Sequence, residues 1–266
     1  MTASPEQYFQ EARRLKNTRQ TEKSIGYYRQ AAIAALQKLG PDSPVASNYL
    51  EHLGIIYRHT GRHFQANESF RRSLEIRKKI YGHIHLDVAR FYNQLRVTKL
   101  AQGNKKDTII CQKRAVETYL QTVGKEHVEY GIVANNLALA HIKLDKFDKA
   151  EKIILKTLNI RKAAHGDEDA VYGVALHHYG LIKLKRSRYA EAETLFRRAQ
   201  GVQQKDLLNP IFTIIAALTN IAYSVVAQQK YEEAESIYKA RLQRIANMMG
   251  KDHPNYIDTL AFLAII

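Results

Sequence analysis

Three groups of residues in this 266-residue chain have the types and spacing to do chemistry. The first is the adjacent pair Asn135-Asn136, set inside the apolar run VANNLALA. A side-chain amide both donates and accepts, and it is costly to bury without partners, so such a pair serves either recognition or internal hydrogen bonding. The second is a set of eleven histidines, among them His83, His85, His177 and His178. Imidazole is the commonest metal ligand. The third is a series of basic runs that could hold phosphates. They are Arg71-Arg72, Arg77-Lys78-Lys79, Lys183 with Lys185-Arg186 and Arg188, and Arg197-Arg198. They belong to a chain in which 41 Lys+Arg exceed 26 Asp+Glu, a formal net charge of +15. A surface of that sign favours acidic partners: peptides, nucleic acid or anionic lipid.

Several chemistries find no support. The sequence contains no GxxxxGK[ST], HExxH or GxSxG, so no enzyme motif is present. His177 and His178 are consecutive, which puts them on different faces of a helix, and no Cys or carboxylate cluster completes a metal site. No metal and no cofactor is expected. The basic runs lack the interleaved aromatics that stack bases. The composition, 45% hydrophobic and 25% charged, is that of an ordinary globular chain. No apolar run reaches membrane-spanning length, and the N-terminus lacks the charged and apolar regions of a secretory signal. A single cysteine, Cys111, points to a reducing compartment and a cytoplasmic location.

What must position these residues is a repeat. Six 20-residue segments begin at Thr21, His63, Lys105, Phe147, Tyr189 and Tyr231, each 42 residues after the last, and five of them end in glycine. The exception ends at Leu208, before Asn209-Pro210. Glycine just past a helix is a C-cap signal. Each segment reads as an amphipathic helix whose fourth position is small: Ser24, Ala66, Thr108, Ala150, Ala192 and Ala234. A small residue at a fixed place lets two helices approach closely. Cys111 falls in the seventh column, which reads as a packed position, not a reactive thiol. The intervening 22-residue segments read as a partner helix plus a turn. One such pair cannot bury its apolar stripe alone, so neighbours must stack into a solenoid.

The expected organisation is a single all-α domain over residues 1–266. It comprises a degenerate repeat at 1–40, repeats at 41–82, 83–124, 125–166, 167–208 and 209–250, and a half-repeat at 251–266. Ser4, Pro5 and Gln7 form a capping-box pattern at the start. The last segment is a first helix without its partner, ending in mid-pattern at LAFLAII. That ending suggests a truncated chain, a cap or a self-association helix.

A period of 42 fits a HEAT-like repeat or a lengthened tetratricopeptide repeat (TPR). Leu53-Gly54-x-x-Tyr57 reproduces the TPR first-helix core, and Ala150, Ala192 and Ala234 match its second-helix alanine. The stretch YEEAESIYKARLQRIANMMGKDHPNYIDTLAFLA resembles the 42-residue TPRs of kinesin light chain, as do FDKAEKIILKTLNIRKAAHG and VANNLALA. The resemblance covers residues 21–266. It implies a TPR-like helical solenoid, a right-handed superhelix of antiparallel helix pairs whose first helices line a concave surface. Arg96, where Gly or Ala is expected, and Lys99 and Lys183, in the Tyr57 column, depart from the pattern and predict less ideal packing in their repeats.

In the first helices, Leu50-Leu53-Gly54-Tyr57, Ala134-Leu137-Ala138-His141 and Leu218-Ile221-Ala222-Val225 follow i, i+3, i+4, i+7 and form the packing stripe. Asn135 and Asn136, about 100° and 200° round from Ala134, are expected to point off the core. Their columns read Glu51/His52, Asn93/Gln94, Asn135/Asn136, His177/His178 and Thr219/Asn220, every member able to hydrogen-bond. The column of Leu139 is apolar: Ile55, Val97, Leu139, Leu181 and Tyr223. Asn48, Arg90, His59, Lys143 and Lys185 flank it.

By the resemblance, the paired asparagines hold an extended peptide. The amide and imidazole ladder would pair with its backbone, the apolar strip would take its side chains, and the basic flanks would favour acidic residues. The expected function is therefore a non-enzymatic adaptor for an acidic peptide or partner protein. The alternatives are a basic platform for nucleic acid or anionic lipid, a regulatory domain of a larger protein, and internal bonding of the polar columns.

Overall fold

Every second helix of the repeat starts on the residue at which its segment begins. In a computed structural model describing residues 3–203 and 210–266, these helices are α2 (Thr21–Leu39), α4 (His63–Tyr81), α6 (Lys105–Thr122), α8 (Phe147–His165), α10 (Tyr189–Gln203) and α12 (Tyr231–Met249). The first helices are α1 (Pro5–Asn17), α3 (Pro44–His59), α5 (Leu86–Ala101), α7 (Val128–Ile142), α9 (Ala170–Lys185), α11 (Pro210–Val226) and α13 (Pro254–Leu263). The expected stop at Leu208 and Asn209 lies outside the described residues.

Local chemistry sets these boundaries. At the start of α1, Ser4 Oγ accepts from the Gln7 amide at 3.2 Å and the Ser4 amide donates to Gln7 Oε1 at 2.7 Å, the expected capping box. The cap then recurs at the 42-residue period. Ser43 accepts from the Ala46 amide, His85 from Asp87, His127 from Glu129, Asp169 from Tyr172 and His253 from Asn255. Three of the eleven histidines thus stand at helix starts as N-caps, with Nδ1 turned to the backbone amide. Past the second helices, Gly40, Gly82, Gly124, Gly166 and Gly250 hold φ between +79° and +92°. That backbone region strains any residue with a Cβ.

The chain divides into two compact units, Met1–Val133 and Ala134–Ile266. In the first, α1 to α6 pack in sequential antiparallel pairs around Phe9, Tyr28, Tyr49, Leu53, Phe70 and Phe91. In the second, α8 to α13 pack likewise around Ile154, Tyr172, Ile182, Phe196, Ile221 and Tyr238. The fourth-position column is buried throughout, from Ser24 to Ala234. Cys111 is half-buried, and burial raises its thiol pKa, as fits a packed side chain.

Close approach explains one sequence feature. A Cβ on Gly54 would stand 2.7 Å from the Phe70 ring, and one on Gly180 2.7 Å from Phe196. The repeat gives the space of its missing side chain to an aromatic from the paired helix. Of the four places where the glycine column changes, two lose the aromatic, Ala138 being matched by Ile154 and Arg96 by Gln112, and two keep one, Ala12 being matched by Tyr28 and Ala222 by Tyr238. The other departures find ionic partners. Lys99 pairs with Asp107 at 3.2 Å. Lys183 is buried, lies 4.6 Å over the Tyr179 ring and pairs with Glu151 at 3.5 Å and Glu191 at 3.6 Å.

Candidate functional site

The two polar columns do not stand side by side on an open surface, as their helical angles suggest. They face opposite neighbours. Asn135 is only 2% exposed, and its Nδ2 donates to the Val171 carbonyl on α9 at 3.0 Å. Glu51, its equivalent, faces the first turn of α5, where Arg77 joins it at 3.6 Å to Asp87 at 2.9 Å. His177 of the same column lies 3.3 Å from Asn220 of α11. This column reaches forward. The other reaches back: Gln94 accepts from Arg58 of α3 at 2.5 Å, and His52 packs on Phe9 and Tyr28.

The expectation that Asn135 points off the core is therefore corrected. Helical angle gives a direction, but the next first helix covers that direction. His178, in the backward-facing column, is buried as well. Burial alone lowers the His177 pKa to about 4, and burial followed by His177 and Lys143 lowers that of His178 to about 3. Both rings are neutral at physiological pH.

What remains open differs between the units. In the first, Asn48 and Arg90 are exposed, Arg90 lies 3.6 Å from Asp87, and Asn93 accepts from Arg96 of its own helix at 2.9 Å. Ile55 and Val97 are half-buried. In the second, Asn136, Leu139, Leu181 and Asn220 are half-buried, Lys143 and Lys185 are exposed, and Tyr223 is 57% exposed. Residues 134–142, α9 and α11 contain no Asp or Glu at all. Beside this strip, Asn135 Oδ1 and His178 Nδ1 are buried with no hydrogen-bond partner among the described residues.

The basic runs are mostly neutralised. Arg71 pairs with Glu68, Arg77 with Asp87, Lys78 with Glu75, Lys79 with Asp42, Arg186 with Glu151 and Arg198 with Asp167. Arg188 pairs with Glu191, and Arg197 with Glu193 and Glu233. Of the residues in those runs, only Arg72 and Lys185 make no ion pair among the described residues. Such pairs contribute little stability at a surface, and each sets a carboxylate beside the base that a phosphate would have to meet. Among the described residues, no three His, Cys, Asp or Glu side chains gather as around a metal, and no helix is long and apolar enough to cross a membrane.

Sequence reasoning missed one buried ion pair. Arg161, 2% exposed, donates through Nε to Asp169 Oδ1 at 2.9 Å and holds the residue that caps α9. Despite its burial, this hydrogen bond and the Tyr172 amide keep the Asp169 carboxyl below the usual range. The recurrence of an arginine at positions 77 and 161, each eight or ten residues before an aspartate, is the signal that could have found it.

Family models described as tetratricopeptide repeat match residues 15–79, 45–121 and 129–205, and a further one matches residues 214–255. Solved structures with a similar fold include BtubC (BKLC) from P. vanneervenii, at 17% identity and TM-score 0.69, with 95% of each chain covered. A Podosopora anserina protein of the kinesin-light-chain kind, with nearly identical TPR-like repeats, aligns at 16% identity and TM-score 0.66 over 78% of this chain and 100% of its own. The apo quorum sensor NprR from B. thuringiensis aligns at 13% identity and TM-score 0.69, covering 98% of this chain and 69% of that one. No curated protein matches the chain.

Proposed function

Because this chain belongs to the tetratricopeptide-repeat family, whose domains typically bind proteins, we propose that it is a non-catalytic binding module for an extended acidic peptide. The peptide lies on the open strip of the second unit, across α7 from Ala134, α9 and α11. One observation carries this reading: a first-helix surface with half-open aliphatic side chains, an exposed tyrosine, two unpaired lysines and no carboxylate. Leu139, Leu181 and Tyr223 take apolar side chains, and Lys143 and Lys185 attract acidic ones. Aromatic anchors of this sort dominate peptide affinity.

Asn135, His177 and His178 are assigned the role of holding neighbouring first helices in place. In the first unit, Asn48, His52, Arg90, Asn93 and Gln94 act on the peptide less, because most are already bonded within the chain. A nucleic-acid platform is disfavoured by the ion pairing of the outer arginines.

The test is fluorescence polarisation against an array of acidic, neutral and basic peptides. The combined change Lys143→Glu/Lys185→Glu should reverse the charge preference, and Tyr223→Ser should weaken binding at least tenfold, with thermal unfolding unchanged. Equal binding of all peptides by wild type and both variants would overturn the reading.

A further inference from the structure

A cavity of about 310 Å³ opens in the first unit between α2 and α4. Its floor is Leu50, Leu53 and Tyr57 of α3, and Ile33 and Leu36 form one wall. The repeat shows that this space is particular to its place. Ala32, on the floor, stands in a column otherwise filled by Leu74, Val116, Leu158, Gln200 and Leu242. Ser69, on the opposite wall, is the smallest member of the column of Tyr27, Cys111, Ile153, Leu195 and Ile237. Two truncated side chains make the gap. Ile33, 45% exposed, is the only apolar side chain in a column of Glu75, Glu117, Asn159, Gly201 and Gln243. Ile33 extends the apolar lining of the cavity on the side of α2.

The mouth is cationic. Arg29 and Arg72 line it from α2 and α4, and neither makes an ion pair among the described residues. Arg29 stands in the column of Arg71, Arg197 and Lys239, each of which takes a carboxylate three or four residues before it. The corresponding positions before Arg29 are Ile25 and Gly26. The one acidic lining residue, Glu68, is held by both nitrogens of the Arg71 fork, at 3.0 and 3.2 Å. The Ser69 hydroxyl in the lining already donates to the Gln65 carbonyl at 2.8 Å.

We propose that this cavity binds a free apolar carboxylate, an aliphatic acid whose hydrocarbon body fills the gap while its carboxylate meets Arg29 and Arg72. At about 30 Å³ per heavy atom the space holds roughly ten of them, at the small end of ligand pockets. Paired guanidinium donors are the natural partners of a planar carboxylate.

Titration calorimetry with n-decanoate on the full chain tests this, with 1-decanol and a Gly/Ser hexapeptide ending in leucine as comparators. Decanoate should bind at least tenfold more tightly than either. Arg29→Gln and Arg72→Gln should each weaken it about tenfold. Ala32→Leu, which installs the side chain found in three other repeats, should abolish binding without lowering the unfolding temperature. Ser69→Leu, which installs the side chain of Leu195, provides the same test if Ala32→Leu fails to fold. Equal affinity for decanol, tighter binding of the peptide, no decanoate binding by wild type, or undiminished binding by the filled-cavity variants would each overturn the proposal.

Discussion

The two units use one repeat to make unlike first-helix faces. In the first, the forward-facing positions are Glu51, tied by Arg77 to Asp87, and Asn93, which accepts from Arg96 of its own helix, and the backward-facing ones are His52, packed among Phe9 and Tyr28, and Gln94, which accepts from Arg58. Burial pushes the Glu51 carboxyl up while Arg77 pulls it down, so this face is a charged, internally satisfied lattice. In the second, the same positions hold Asn135, His177 and His178, all neutral, and no carboxylate stands among them. Charges that answer one another close a surface to ligands. A neutral, partly satisfied surface leaves something for a ligand to complete. The turns differ too. Two or three residues past the end of each first helix from α1 to α11 one residue takes positive φ, but it is Gly61 and Gly103 in the first unit, after Arg19, and Asp145, Ser187 and Gln229 in the second.

The largest test of this contrast concerns the second unit's buried ion pair. Asp169→Ala removes a helix cap and takes from Arg161 its carboxylate. It should cost about 3–5 kcal/mol, against about 1 kcal/mol for Ser43→Ala at the equivalent cap, both read from urea unfolding. Next come the glycine–aromatic contacts. Gly180→Leu and Gly54→Leu should each cost about 1–3 kcal/mol by overpacking. A clear inequality between them would show that one unit relaxes more readily.

Acid comes third. His177 and His178 titrate near 4 and 3 when folded, below the unfolded value of 6.5. The unfolded chain therefore binds more protons as pH falls from about 6.5, and stability declines through that window until the folded rings also protonate. The unfolding temperature should drop by several degrees between pH 7 and 5, and His177→Gln/His178→Gln should flatten the profile. A profile unaffected by the double change would remove these rings from the account. The smallest effect belongs to the turns. Ser187→Gly and Gln229→Gly should gain up to about 1 kcal/mol by relieving positive φ, whereas Gly61→Ala in the first unit should lose a similar amount.

Much of this was legible in the chain. The six starts at 42-residue intervals mark the second helices to the residue, because capping and packing chemistry recur with the period. Tyr223 and Lys185, which the repeat register places off the packing stripe, are exposed. Asn135 is not, because a helical wheel knows one helix and its burial comes from the next. The His85, His127 and His253 column was recognisable as structural, and its role as N-cap required coordinates. The turn column was obscured because only two of its six members are glycine. The cavity beside Ile33 was hidden for a related reason: a gap is a relation between the smallest members of two columns, and neither Ala32 nor Ser69 is unusual alone.

The packing described within each unit joins helices that are adjacent or next but one in sequence. A chain built that way has no long-range staple. Pulled from its ends, each unit should yield as a row of catches and not as one body. Each released 42-residue repeat would feed out up to about 140 Å of extended chain, and resistance would be renewed at the next packed helix pair. Under tension the repeat is a unit of length as well as a unit of recognition.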